Sequence, residues 1–328
     1  MNGSLSATSK KIEAVSLKKS FVLKDAKDFF KKLSVQKALV LMCAPFVLHI
    51  IIFNYIPIWG WIMAFQEFRP HLGISGSEFV GLRQFVTLFQ DPLFTTVLRN
   101  TFAMSSMNLV FGFLSAITLA ILLNELVNKT FKKVVQTISY LPYFVSWVVV
   151  ANLVISSLSP VDGIINRVLL ATGILEEPVL FMGEEGYFWW IVVFSNMWKN
   201  VGWNSIIYLS AMSGIDPELY QAANIDGAGR LRRIWHITIP GIMPIVSILL
   251  IMNLGWILNA GFEQQLLLTN PLNMRVSEVI DIYVLRYGIS MGRFSLATAA
   301  GVFRSVVSII MLLSANAIAK KLGSDRII

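Results

Sequence analysis

The sequence predicts an all-α membrane protein with six transmembrane helices and both termini cytoplasmic. Three observations carry this reading. The 328 residues are 55% hydrophobic and only 14% charged, too apolar for an ordinary soluble domain. Several apolar runs approach or exceed the roughly 20 residues that a helix needs to cross a bilayer. Lysine and arginine crowd one set of connecting segments and are sparse in the other. Strands of a membrane barrel would alternate apolar and polar residues, and these runs do not.

Residues 1–38 form a basic segment holding Lys10, Lys11, Lys18, Lys19, Lys24, Lys27, Lys31, Lys32 and Lys37. Placed just before an apolar run, it reads as a cytoplasmic anchor against anionic lipid rather than as a nucleic-acid site. The run from Leu39 to Trp61 is too long for a cleaved signal peptide, and no small-residue cleavage site follows it. The expected spans are Leu39–Ile62, Thr101–Leu126, Val134–Leu158, Tyr187–Leu209, Pro240–Phe262 and Phe294–Ala319. In lipid each must satisfy its backbone internally, hence as helix. The transmembrane domain thus covers 39–319, with a cytoplasmic tail at 320–328. Lys129, Lys132, Lys133, Arg230, Arg232, Arg233, Lys320, Lys321 and Arg326 fall on the side of the basic N-terminus. The opposite loops, 63–100 and 263–293 among them, are long and contain amphipathic pieces such as Phe79 to Phe89. Tyr187, Trp189 and Trp190 open the fourth span as an interfacial belt would.

The loop 213–239 is therefore cytoplasmic, and its sequence is specific. Asp216-Pro217-Glu218 starts a helix: the acid caps free N–H groups, proline suits the first turn and glutamate complements the dipole. Leu219, Ala222 and Ala223 then share one shallow face that another protein can approach closely. Gly227 breaks the helix where a left-handed or tightly packed position is expected. A second short helix from Arg230 carries Leu231, Ile234 and Trp235, and Pro240 begins the fifth span. A helix–turn–helix joined to a span suits helix-in-groove docking; the residues alone leave an ordinary amphipathic loop open.

Tyr220-Gln221-Ala222-Ala223-Asn224-Ile225-Asp226-Gly227, followed by Ile237-Thr238-Ile239-Pro240, resembles the E-A-A-x-x-x-G-x9-I-x-L-P loop of permease subunits in binding-protein-dependent ABC importers. Asn100-Thr101, Asn124-Glu125, Leu141-Pro142, Asp162-Gly163-Ile164-Ile165-Asn166 and Gly261-Phe262-Glu263-Gln264 extend the likeness to the branch that imports sugars and oligosaccharides, uronic-acid-containing ones among them. The resemblance implies a type I importer fold and a coupling loop in which Leu219, Tyr220, Gln221, Ala222, Ala223, Asp226, Gly227, Ala228, Ile237 and Pro240 face an ATPase. It implies as partners a second permease subunit, two ATPase subunits that bind ATP and Mg, and an extracellular solute-binding protein. Gln221 departs from the usual glutamate and Ile239 from the usual leucine; the first drops a charge at the ATPase surface. No glycine is followed by lysine, so a Walker A loop is absent and this chain is expected to be a permease rather than an enzyme.

Two basic residues fall inside expected spans, Lys199 and Arg304. A charge at a helix centre costs roughly 2.5–3.5 kcal/mol on insertion scales, so each needs a cavity or a partner. Lys199 lies among Asn196, Trp198, Asn200 and Trp203, which could form a sugar pathway together with Asn253, Asn259, Glu263 and Arg304. Equally, each cation could pair with a carboxylate such as Glu263 or with helix-end carbonyls, and the asparagines could hold helices together. His49, His71 and His236 are isolated and the one cysteine is Cys43, so no metal site, triad or internal disulfide is expected. A secondary transporter would need intramembrane acids and repeated halves. An enzyme of lipid-linked sugars would need paired acids or a metal cluster. Neither pattern is found in the sequence.

Overall fold

The computed structural model describes residues 36–321, so most of the basic N-terminal segment and the tail with Arg326 lie outside the described residues. The chain divides into two compact units between Trp61 and Ile62. The first holds most of α1 (Lys37–Phe65), a continuous helix that tightens and loosens along its length. A π turn spans Ile51–Tyr55 and a 3-10 stretch begins at Ile56. Pro45 and Pro57 each remove an amide donor from its ladder.

The second unit begins with a two-stranded antiparallel ribbon, β1 (Gln66–Glu67) on β2 (Glu78–Phe79), in register Gln66 to Phe79. The short amphipathic helix α2 (Arg83–Gln90) follows. α3 (Pro92–Asn124) starts well before the expected Thr101, because Asp91 accepts from Leu93 N at 2.9 Å and Pro92 fills the first turn.

The expected single span Val134–Leu158 is instead two helices. Asn128 caps α4 (Lys129–Tyr140), Pro142 sits in a 3-10 turn over Leu141–Phe144, and Ser146 caps α5 (Trp147–Ser157). The halves bend by 101°. A proline preceded by leucine and followed by a capping serine ends one helix and starts another. α6 (Ile164–Ala171) and α7 (Glu185–Ser213) follow.

α8 (Pro217–Ile225) is the first loop helix. The expected second loop helix is not separate. It is the start of α9 (Arg230–Gly255), joined through a π turn at Ile234–Thr238 just ahead of Pro240. α9 ends at Gly255 rather than Phe262. Gly261, at φ 82°, then redirects the chain into α10 (Phe262–Leu268). Short turns lead to α11 (Phe294–Lys321).

Among the described residues, α1, α3, α9 and α11 are long and apolar enough to cross a membrane, and the bent α4–α5 pair adds a fifth if it is counted as one span. α7 is 29 residues long, but Asn196, Lys199, Asn200 and Asn204 dilute its apolar character. α3 packs along α7, where Ala116 and Ala120 lie in one cluster with Tyr208, Met212 and Ile242. Small residues allow such close approach of helices.

Gly202 is tighter still. A Cβ there would stand 1.9 Å from the Ser139 carbonyl oxygen of α4. A second cluster joins Leu88, Phe94, Tyr283 and Leu296. The segment between α10 and α11 is pinned to α3 by polar bonds. Asn100 Nδ2 donates to the carbonyls of Arg275 (2.9 Å) and Glu278 (3.1 Å), and Thr101 Oγ1 accepts from Ile280 N (3.0 Å).

Candidate functional site

The loop 213–239 presents α8 outward. Asp216 accepts from Glu218 N at 2.9 Å, capping the helix as its sequence predicts. Gly227 adopts φ 71°, and Ala228 N returns to the Ala223 carbonyl at 2.8 Å to close the turn. Leu219, Ile225, Leu231 and Trp235 are exposed by 52%, 88%, 74% and 65%. Gln221, Ala222 and Asp226 are exposed beside them.

A cleft of ≈ 260 Å³ opens between α8 and the start of α9. Ala223, Asp226, Ala228, Arg232, Arg233, His236 and Ile237 line it. Tyr220 Oη bonds Thr238 Oγ1 at 2.9 Å, and Arg233 bonds Asn224, so α8 is tied to α9 at both ends. α8 and the first turns of α9 are thus held together by side-chain bonds. Pro240 sits just past the π turn. The sequence reading omitted Arg232 and Arg233 from this cleft, although their place one turn before Ile237 and beside His236 was visible.

A second cavity, of ≈ 510 Å³, lies between α3, α7 and α9. Asn108, Asn196, Asn200, Asn204, Asn253 and Asn259 line it, with Ser105, Tyr208 and Trp256. Of the nine expected pathway residues, the structure brings Asn196, Asn200, Asn253 and Asn259 together here. Asn200 donates to both the side chain and the carbonyl of Asn196, the latter at 3.1 Å. Asn253 donates to the Leu249 carbonyl at 2.8 Å. Asn204 extends the Asn196 and Asn200 series by another four residues, so the i, i+4, i+8 pattern on one face was a signal available in the sequence. Asn108, with no asparagine four residues away on either side of it in α3, gives no such signal.

The other five do not line this cavity. Lys199 Nζ is buried and donates to the carbonyls of Tyr143 (2.7 Å), Val145 (2.6 Å) and Pro142 (3.4 Å) at the α4–α5 break. It also lies 5.5 Å and 5.6 Å from the ring centres of Tyr143 and Trp147. Trp203 stacks on Tyr143 at 4.4 Å. Trp198 lines an apolar groove with Trp190 and Phe194 on another side of α7. Glu263 is exposed on α10. Arg304 pairs with Asp281.

Arg286 likewise meets the buried Glu278 at 2.9 Å. Burial holds the Glu278 and Asp281 carboxyls above the ordinary carboxylate range, and the facing guanidinium of each pulls the other way. A raised carboxyl binds its proton more readily folded than unfolded. Its contribution to stability therefore falls as pH rises from the unfolded value of about 4.3. Glu278→Gln is expected to weaken that decline in a thermal-unfolding pH series; an unchanged slope would contradict the assignment. Among the described residues no group of acids, histidines and cysteine could hold a metal.

Comparison with known proteins places this geometry. The family described as "Binding-protein-dependent transport system inner membrane component" matches residues 108–324, which contain the loop and every residue named in the cavity wall except Ser105. The chain belongs to that family, and is a permease component rather than an enzyme. It is 44% identical over 296 residues to the polygalacturonan/rhamnogalacturonan transport system permease protein YteP of Bacillus subtilis (strain 168), covering 90% of this chain and 92% of that one. It is 41% identical over 290 residues to protein LplB of the same organism, covering 88% and 90%. A chain in the crystal structure of a bacterial ABC transporter that imports the acidic polysaccharide alginate superposes with a TM-score of 0.82 at 39% identity, over 89% of this chain and 98% of that one. A second structure of an alginate transporter, in complex with an alginate pentasaccharide-bound periplasmic protein, gives the same TM-score and identity.

Proposed function

We propose that this chain is one of two non-identical permease subunits of an ATP-driven importer in a bacterial plasma membrane. Its cargo is an oligosaccharide, and a uronic-acid-containing one is favoured by the polygalacturonan/rhamnogalacturonan and alginate transport of its relatives. An extracellular solute-binding protein delivers the sugar, and two ATPase subunits bind ATP and Mg. Six spans, with α7 as one of them and both termini cytoplasmic, complete the topology.

The observation that carries this reading is the exposed α8, turned at Gly227 and continuous through α9 with the bilayer. Closure of the ATPase pair on ATP moves α8, α9 moves with it, and the α3–α7–α9 cavity alternates between the two faces. Binding energy of the sugar alone supplies limited bias between such states, so the nucleotide must supply the rest. Asn196, Asn200, Asn253 and Asn259 form this chain's wall of the pathway.

The test is uptake into proteoliposomes holding both permeases and the ATPase, with receptor outside the transporter. Uptake should require ATP and receptor. Ala223→Glu or Gly227→Pro should leave the protein inserted yet reduce ATP-driven uptake by on the order of tenfold, because a charge in the cleft or a ring at a positive φ displaces the docked helix. Normal uptake in both variants would refute the coupling role.

A further inference from the structure

Helix α2 and the leucine that precedes it present three faces. Leu88 is fully buried and Phe85 packs beside it, in the cluster that holds Phe94 of α3 and Leu296 of α11. Leu82, Val86 and Phe89, spaced i, i+4 and i+7, share a second face and are each more than half exposed. Arg83 and Gln90 are exposed on a third, polar side. A helix that keeps apolar side chains on its outward face suits a boundary between hydrocarbon and water. The depth of α2 matches such a boundary. The Phe89 ring lies edge-on to Phe303 of α11 at 5.3 Å and to Phe94 of α3 at 5.9 Å. From Phe303 to Lys321, α11 rises roughly 27 Å at about 1.5 Å per residue. That is close to the roughly 30 Å of a hydrocarbon core, and the exposed Lys320 and Lys321 mark its far edge. The start of α11 and the α2 packed on it therefore stand at the opposite edge. Two cations flank the ribbon there. Arg69 and Arg83 share Glu67 of β1, at 3.6 Å and 3.9 Å, and stay mostly exposed. Loose exposed pairs of this kind contribute little, so both guanidiniums are free to meet another anion.

We infer that Leu82, Val86 and Phe89 insert into the acyl layer of the outer leaflet, with Arg69 and Arg83 meeting phospholipid phosphates at the same boundary. α2 is then an interfacial anchor that holds the outer ends of α3 and α11 at a fixed depth. Contact with lipid follows from the exposed face and its depth. The choice of leaflet rests on the topology proposed above.

The experiment places a nitroxide at Val86→Cys, in a Cys43→Ser background, on the complete transporter in nanodiscs of phosphatidylethanolamine and phosphatidylglycerol. Its collision rates with oxygen, which concentrates in lipid, and with a water-soluble nickel chelate are compared. The oxygen-to-chelate ratio should be severalfold higher at Val86→Cys than at Gln90→Cys on the polar side. If Val86→Cys lowers the yield of complex, Leu82→Cys on the same face takes its place with the same expectation. Preference for the chelate at Val86 would show a solvated face and overturn the inference. Poor access to both reagents would show a protein seated there, the second permease or the receptor, and would overturn it as well. Arg69→Gln combined with Arg83→Gln should lower the ratio at Val86, since the phosphate layer then loses its two cations; an unchanged ratio would remove the arginines from the anchor. An impermeant maleimide on oriented proteoliposomes should reach Gln90→Cys from the receptor side. Reaction from the ATPase side alone, with Val86 still favouring oxygen, would refute the topology and the outer leaflet but not the contact with lipid.

Discussion

Lys199→Met should unfold the transporter at markedly lower temperature, by a loss of about 3–5 kcal/mol. The ammonium occupies the point where the carbonyls of Pro142, Tyr143 and Val145 converge, at the 101° break between α4 and α5. A helix end inside a membrane leaves carbonyls that only a neighbour can satisfy. The Pro142 carbonyl keeps the Val145 amide as a donor, but those of Tyr143 and Val145 lose the ammonium, and each one stranded costs about 1–3 kcal/mol. Methionine fills the volume but donates nothing. Lys199→Arg should recover part of the loss, since a guanidinium can still donate to carbonyls. The measurement is thermal unfolding of the purified complex in lipid nanodiscs, with uptake of acidic and neutral sugars alongside. Unchanged stability with loss of acidic uptake alone would mean that Lys199 selects anions on the pathway.

Gly202→Val should prevent assembly, or leave a complex whose unfolding midpoint falls by more than any exposed substitution produces. The added Cβ would meet the Ser139 carbonyl oxygen at 1.9 Å and its carbon at 2.4 Å. Both are backbone, so relief requires α4 to move away from α7. Overpacking a tight contact costs about 1–3 kcal/mol, and a backbone obstacle places this change at the upper end. The moved helix leads directly into the turn whose carbonyls Lys199 binds, so the two effects are coupled. Gly301→Ala is the control: nothing lies within 4 Å of its Cβ, and alanine favours helix by up to about 1 kcal/mol. Equal behaviour of the two variants in yield and unfolding would contradict the close crossing of α4 and α7.

Much of this architecture can be read from local chemistry. Asp216-Pro217 starts a helix and Gly227 ends it in a left-handed turn, because capping and positive φ are decided by a few adjacent residues. The long apolar helices follow from composition. What depends on distant segments was not legible. The α4–α5 break falls inside a single expected span, although Pro142 and Ser146 are its physical cause. Lys199 binds main-chain carbonyls, which no pattern of side chains announces. Arg304 pairs with Asp281 rather than Glu263, because Asn100 and Thr101 of α3 hold the segment after α10 in place and Asp281 of that segment meets α11. Half the cavity was visible as asparagines on α7 and α9. Ser105 and Asn108 join it only once α3 is placed in register along α7.

The central claim is that α8 is a cytoplasmic lever against a separate motor. Its most direct test is site-directed cross-linking from Ala222→Cys in a Cys43→Ser background of the assembled transporter, Cys43 being the one native cysteine. The account predicts that membrane-impermeant thiol reagents reach this position only from the cytoplasmic side, and that a short bifunctional cross-linker joins it to the ATP-hydrolysing subunit with a yield that changes on ATP binding. Labelling from the outer face, or a cross-link to no nucleotide-hydrolysing partner, would contradict it.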